Sequence, residues 1–329
     1  MLNLQQIVVQ QVIEWLHANQ VCWFATISHT YGSSPRPVGS IMACNDQGHV
    51  VGSLSGGCVE ETLLQRVIDS DNAPKTPQFL HYRENPEEGL GALPCGGELQ
   101  VLLEPLSSAH LPHFEALLQA LSQRQAIQRQ VTLASGEMDL SYNKHPLLTL
   151  SPTHLRHTFF PLFQILLVGL TPVSLYVAEM AHSLEFRVTV CDPREKYHMH
   201  WQAQAQAHPF ITFTDKFPDD VIRAQFNDRY SAIIALAHDP RIDDMALMEA
   251  LLSKAFYVGA MGSERSAHHR RSRLLELGLN ETLIASLHAP IGLPIGSKTP
   301  MEIAVSIVAQ LVLMRNKALA QSRSLPVES

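Results

Sequence analysis

A chain of 329 residues is long enough for two domains of ordinary size. With 46% hydrophobic and 17% charged residues, it has the makeup of a globular protein able to bury two cores. The net charge of -7, without a lysine- or arginine-rich stripe, argues against a nucleic-acid polyanion as the main partner.

Leu4 to His17 carries apolar side chains at helical spacing through Ile7, Val8, Val12, Ile13 and Leu16. Val21 to Ser28, rich in aromatic and branched residues, predicts a strand. A loop runs from Tyr31 to Ser40, and strand segments near Ile41 and Val50 lead to Ser55-Gly56-Gly57-Cys58-Val59-Glu60. Val59, Leu63, Leu64, Val67 and Ile68 then repeat at helical spacing, which puts Cys58 at or near a helix N-terminus. A loop from Glu84 to Pro94 opens onto Cys95-Gly96-Gly97-Glu98, and Leu99 to Leu103 predicts a strand. Residues 107–160 read as a connecting region with a helix around Phe114 to Leu121 and short strands around Ile127 to Leu133 and Leu147 to Leu150. A domain boundary near Pro161 divides 1–160 from 161–329.

The second half alternates strand and helix. Strands are expected at Gln164 to Val168, Arg187 to Cys191, Ser231 to Leu236 and Ala255 to Val258. Helices are expected at Val173 to Ser183, Asp243 to Leu252, Ser266 to Leu277 and Met301 to Met314, the last opened by a capping box of Thr299 and Glu302 around Pro300. The fold class is therefore α/β: an N-terminal α+β domain followed by a C-terminal Rossmann-like, doubly wound parallel sheet.

The cysteines number five, an odd count without a Cys-x-x-Cys, so neither a disulfide framework nor a zinc ribbon is expected and a reducing cytoplasm fits best. The N-terminus lacks a basic stretch followed by an apolar core, so no signal peptide is expected. The longest apolar run, Phe159 to Leu170, is too short to cross a bilayer, and no membrane partner is expected.

Two cysteines sit against glycine pairs in mirror order, Gly56-Gly57-Cys58 and Cys95-Gly96-Gly97. A Gly-Gly step lets the backbone take positive φ and approach a bound group closely. A thiol beside such a turn suits something soft: a metal, sulfur or a dithiolene. The plain alternative is two tight turns, each carrying a small, buried, inert cysteine.

At the Rossmann position, a strand ends at Gly169, a helix begins near Pro172, and Asp192 closes the next strand about 20 positions on, where a dinucleotide's ribose would be bound. Thr171 stands where the second glycine would admit the pyrophosphate, and Pro172 removes an N–H. Both weaken ordinary NAD(P) binding. His238 follows a buried strand, and Gly262-Ser263 precedes a helix with Arg265 and Arg271 nearby; both places lie at strand ends where ligands and anions collect.

Taken together, these blocks resemble the xanthine dehydrogenase accessory factor family, XdhC/CoxI, over nearly the whole chain. The resemblance rests on Gly32-Ser33-Ser34-Pro35-Arg36-Pro37-Val38-Gly39, both glycine-cysteine turns, Cys191-Asp192-Pro193-Arg194, Tyr257 to Ser263, and His288 to Leu293 with Thr299 to Ala304. It implies a maturation factor rather than an enzyme. Its cargo would be molybdenum cofactor, as molybdopterin or its dinucleotide form, sulfurated by a cysteine desulfurase and inserted into an apo molybdenum hydroxylase. It also implies a homodimer. Cys58 is the expected contact to molybdenum, with Cys95 as a second soft group and Ser33, Ser34 and Arg36 toward phosphate or pterin. The chain departs from the family at Gly169 to Ser174, where a Gly-x-Gly turn is usual. The alternative functions are an NAD(P)-binding oxidoreductase and a nucleotide-binding adaptor, both using the C-terminal domain.

Overall fold

The computed structural model describes residues 4–34, 36–68, 73–83, 97–142, 146–195 and 198–321. It divides into two compact units, Leu2–Pro161 and Leu162–Ala320.

The first unit is built on β1 (Cys22–Tyr31), a strand buried on both faces from Cys22 to Ser28. Its alternation sends Cys22 and Phe24 into one apolar layer and Trp23, Ala25 and Ile27 into the other. The first layer is closed by α1 (Leu4–His17) and α3 (Leu111–Ser122), and the second by α2 (Cys58–Ile68). Around β1 the antiparallel sheet adds β2 (Ile41–Asn45), β3 (Val50–Gly52), β4 (Gln78–Tyr82) and β5 (Glu98–Leu106), in the order β3-β2-β1-β5-β4. Helix α1 stops where Asn19 turns to φ 54° and the Gln20 amide donates back to the Trp15 carbonyl.

The 107–160 stretch, read from sequence as a connecting region, holds α3, over the helix expected at Phe114 to Leu121, and a second antiparallel sheet of the first unit. That sheet runs β7 (Met138–Ser141), β6 (Ile127–Thr132), β9 (His154–Phe159), β8 (Leu148–Leu150). Arg129 of β6 forms a fully buried, two-pronged ion pair with Glu104 of β5, at 3.1 and 2.6 Å, with its guanidinium over the rings of Phe24 and Phe114.

The second unit is a parallel sheet in the order β12-β11-β10-β13-β14. In chain order its elements are β10 (Gln164–Val168), α4 (Pro172–Ser183), β11 (Arg187–Cys191), α5 (His198–Ala207), β12 (Ile211–Thr214), α6 (Pro218–Gln225), β13 (Ser231–Ala235), α7 (Pro240–Leu252), β14 (Tyr257–Ala260), α8 (Glu264–Glu276), α9 (Glu281–Ala285) and α10 (Pro300–Gln321). The strand order reverses between β10 and β13, the point where ligands of such folds usually bind. The expected capping box at α10 forms: the Thr299 amide donates to Glu302, and the Glu302 amide to the Thr299 hydroxyl.

Candidate functional site

Sheet register gathers the N-terminal motifs at one end of the first sheet. Strand β1 ends at Tyr31, opposite Glu98 at the start of β5. Strand β2 begins at Ile41 opposite Thr26, β3 ends at Gly52 opposite Met42, and β4 ends at Tyr82 opposite Leu99. The connections 32–40, 53–57 and 83–97 therefore all leave from that end. Three strand spacings, about 15 Å, separate β3 from β5.

Gly97 is packed against the 32–34 turn, where a Cβ would collide with the Ser33 carbonyl. Gly56 and Gly57 have φ of 91° and 147°, and a Cβ on either would meet no atom within 4 Å. They are glycines for the backbone conformation, and their outer surface is open to an approaching group. Ser33 and Arg36 are exposed. Ser34 donates to the Arg36 carbonyl at 2.8 Å and fastens the loop that carries both. Cys95 and Gly96 lie outside the described residues, as does the side chain of Cys58; its backbone is the first residue of α2.

Glu60 is not among the site residues expected from the sequence, but it organises this turn. Its Oε1 accepts hydrogen bonds from the Ser53 hydroxyl (2.7 Å) and the amides of Leu54 (2.7 Å), Ser55 (2.8 Å) and Gly56 (3.1 Å). Its Oε2 accepts from the Ser55 hydroxyl and the Gly57 amide (2.9 Å). Burial opposes ionisation, but the bonds from Ser55 and Ser53 outweigh it and hold the carboxyl far below the usual range. The signal that would have found it is the position: Glu60 is the N3 residue of α2, reaching back to Gly57 as in a capping box. Close to Glu60 and Arg66 lies the buried Tyr82, whose hydroxyl has no hydrogen-bond partner among the described residues.

In the second unit, Gly169, Asp192, His238, Gly262 and Ser263 all fall at the C-terminal ends of strands. Their bonding departs from a nucleotide site. Asp192 is fully buried and accepts from the Leu170 amide at 2.8 Å. It is also paired with Arg194 at 2.6 Å, and Arg194 reaches on to the Ala237 carbonyl. The acid expected to bind a ribose is an internal strut. The Thr171 amide donates to the Ser174 hydroxyl, and the Ser174 amide to the Thr171 hydroxyl, closing the helix start on itself. Gly169 (φ 106°) is needed because a Cβ would strike the backbone of Ala237.

His238 is exposed with φ 55°. Ser263 caps α8 by accepting the Ser266 amide. Gly262 lies beside Ser266 and Arg270, and Arg270 pairs with the buried Asp243 and donates to the Met261 carbonyl. Arg271, considered for an anion, donates to the Ala289 carbonyl.

Burial and neighbouring acids push the thiols of Cys22 and Cys191 up to about 12, and burial with the Cys22 thiol does the same for Cys44, which makes all three poor nucleophiles. No group of three or more metal-ligating side chains occurs among the described residues.

A glycine-cysteine turn at the end of an antiparallel sheet, joined to a Rossmann unit whose phosphate turn is closed from within, defines a two-domain protein unlike an ordinary dehydrogenase. The chain belongs to the XdhC and CoxI family: that family's model matches residues 15–82, and the model of the XdhC Rossmann domain matches 165–311. It is 28% identical to a Bacillus subtilis protein named as a probable xanthine dehydrogenase subunit, over 89% of this chain and 93% of that protein. It is 26% identical to the molybdenum cofactor insertion chaperone PaoD of Escherichia coli, over 94% and 88% respectively. A crystal structure described as a xanthine dehydrogenase from Bacillus halodurans is similar at a TM-score of 0.72 with 25% identity, covering 94% of this chain and 96% of that one.

Proposed function

We propose that this protein is an insertion chaperone: it binds molybdenum cofactor as cargo at the loop end of the first sheet and delivers it to an apo molybdenum hydroxylase of the xanthine dehydrogenase type. The observation that carries this reading is that the strand ends flanking 32–40, 53–57 and 83–97 lie together at one end of the sheet. The cargo has an anionic phosphate, a flat polar pterin and a sulfur-bound metal. The open face of Gly56 and Gly57 admits a flat group, and the exposed Ser33 and Arg36, on the loop that Ser34 fastens, supply donors for phosphate or pterin. Cys58, at the start of α2, supplies a soft group for the metal, with Cys95 as a second. Sulfuration by a cysteine desulfurase before transfer, self-association as a homodimer and a cytoplasmic location belong to the same reading. The names of the Bacillus and Escherichia relatives support it.

The test loads the purified protein with molybdenum cofactor and measures molybdenum retained after ultrafiltration, then activity gained by an apo hydroxylase. Wild type should retain metal and restore activity; Cys58→Ala and Arg36→Ala should retain several-fold less. Equal retention by all three would remove this sheet end as the site.

A further inference from the structure

On the face of the first sheet turned away from α2, the loop end carries polar and aromatic side chains in two rows set by strand register. His29 of β1, Gln100 of β5 and His81 of β4 stand side by side. One step nearer the loops, Tyr31 stands opposite Glu98, with Arg83 on the other side of Glu98. The irregularity between Ile27 and His29 makes this arrangement. It shifts the alternation of β1, so that His29 and Tyr31 share the face of Gln100 and Glu98, whereas Ile27 points into the layer under α2. Tyr31 is 71% exposed, His29 is exposed, and Gln100, Glu98, His81 and Arg83 are half-buried.

The Ser28 hydroxyl donates to Gln100 Oε1 at 2.8 Å, which leaves the Gln100 NH2 group to act as a donor. Arg83 lies 3.8 Å from Glu98, outside hydrogen-bond length, so it balances the charge of the carboxylate without occupying it. Side chains stand upright on a sheet face. A flat ring laid against Tyr31 therefore lowers one edge onto Glu98 and Gln100. A carboxylate beside an aromatic shelf selects an edge with two adjacent N–H groups, one for each oxygen, and the Gln100 NH2 suits a carbonyl next to them. That order of donors and acceptor is the 2-amino-4-oxo edge of a pterin. We infer that Tyr31, Glu98 and Gln100 form a subsite for the pterin end of the cargo. The choice of pterin rests on the proposed function, since guanine carries the same edge; the shelf and the carboxylate do not. The loop that follows Tyr31 carries the exposed Ser33 and Arg36 for the phosphate, and Gly97, packed against the Ser33 carbonyl, holds that loop beside Glu98.

The experiment uses the full chain and free rings without metal. Pterin, which fluoresces, is titrated with the protein, and binding is read from the quenching that stacking on Tyr31 causes. Lumazine (the same two rings with a carbonyl in place of the 2-amino group) and guanosine monophosphate compete against it. Wild type should bind pterin about tenfold or more tighter than lumazine, which turns an oxygen toward the carboxylate, and tighter than guanosine monophosphate. Tyr31→Ala should weaken pterin by about fivefold or more, and Tyr31→Phe should restore it. Glu98→Gln should bring pterin and lumazine to within about threefold of each other. No pterin binding at millimolar concentration, equal binding of pterin and lumazine by wild type, unchanged binding by Tyr31→Ala, or tighter binding of guanosine monophosphate would overturn the subsite. Molybdenum retention separates the two ideas. If the pterin results hold while Cys58→Ala and Arg36→Ala retain metal as wild type does, the subsite stands and the loop-end site fails. If retention falls in those two while Tyr31→Ala binds pterin as wild type does, the cargo reading stands and the subsite fails.

Discussion

Acid should loosen the first unit through His157. This side chain is fully buried, lies against the ring of Phe159 and has no hydrogen-bond partner for either ring nitrogen among the described residues. Burial, reinforced by the Arg129 charge, pushes it down to about 3. In the unfolded chain it titrates near the ordinary value of about 6.5. The folded value is the lower one, so the unfolded chain binds the extra proton between the two. The stability His157 contributes is complete above about 6.5 and is lost as pH falls toward 3. Between pH 7 and pH 5 the loss from this one residue works out at about 2 kcal/mol. Urea unfolding followed by tryptophan fluorescence would measure it, since Trp15 and Trp23 are buried in the first unit. His157→Phe has no proton to bind and should lose about 2 kcal/mol less than wild type over the same interval. Equal losses in the two proteins would refute the reasoning.

Arg129→Met leaves the Glu104 charge buried and unpaired, and should cost about 3–5 kcal/mol in denaturant unfolding; adding Glu104→Leu should recover much of it. Gly169→Ala forces a Cβ into the Ala237 backbone at a positive φ. It should lower the melting temperature of the second unit by well over about 5 °C, or abolish soluble expression. Calorimetry with NADH or NADPH at millimolar concentration should give no heat, because the Leu170, Thr171 and Ser174 amides and Asp192 are already bonded internally.

The parts of the fold that could be read from sequence were those whose burial matches apolar content. Strand β10 is an apolar run after Gln164, β11 carries the branched Val188, Thr189 and Val190, and α1 has a clean helical stripe, so their limits fell where expected. Strand β9 was missed because its buried positions include His157 and Thr158, which break the apolar alternation left by Leu155 and Phe159. Strand β12 is a four-residue edge strand, and α5 lacks an apolar stripe altogether. The glycine-cysteine turn was legible as a turn before a helix. Glu60 was not, because an acid in a first turn reads as a complement to the helix dipole, whereas here it folds back onto the preceding loop. Asp192 is the opposite case. Its place in the chain matches a ribose ligand, and only the geometry of Arg194 shows that its oxygens are engaged.

That engagement bears on how the second unit can change. Restoring glycine at Thr171 would not by itself open the crevice, because the Leu170 amide would still belong to Asp192 and Asp192 to Arg194. Arg194 also ties the end of β11 to the turn after β13 across the strand-order reversal. A single substitution toward nucleotide binding would meet a brace already in place, and two or more residues would have to change together. The unit is thus held in a Rossmann shape by bonds that stand where a nucleotide's contacts would be.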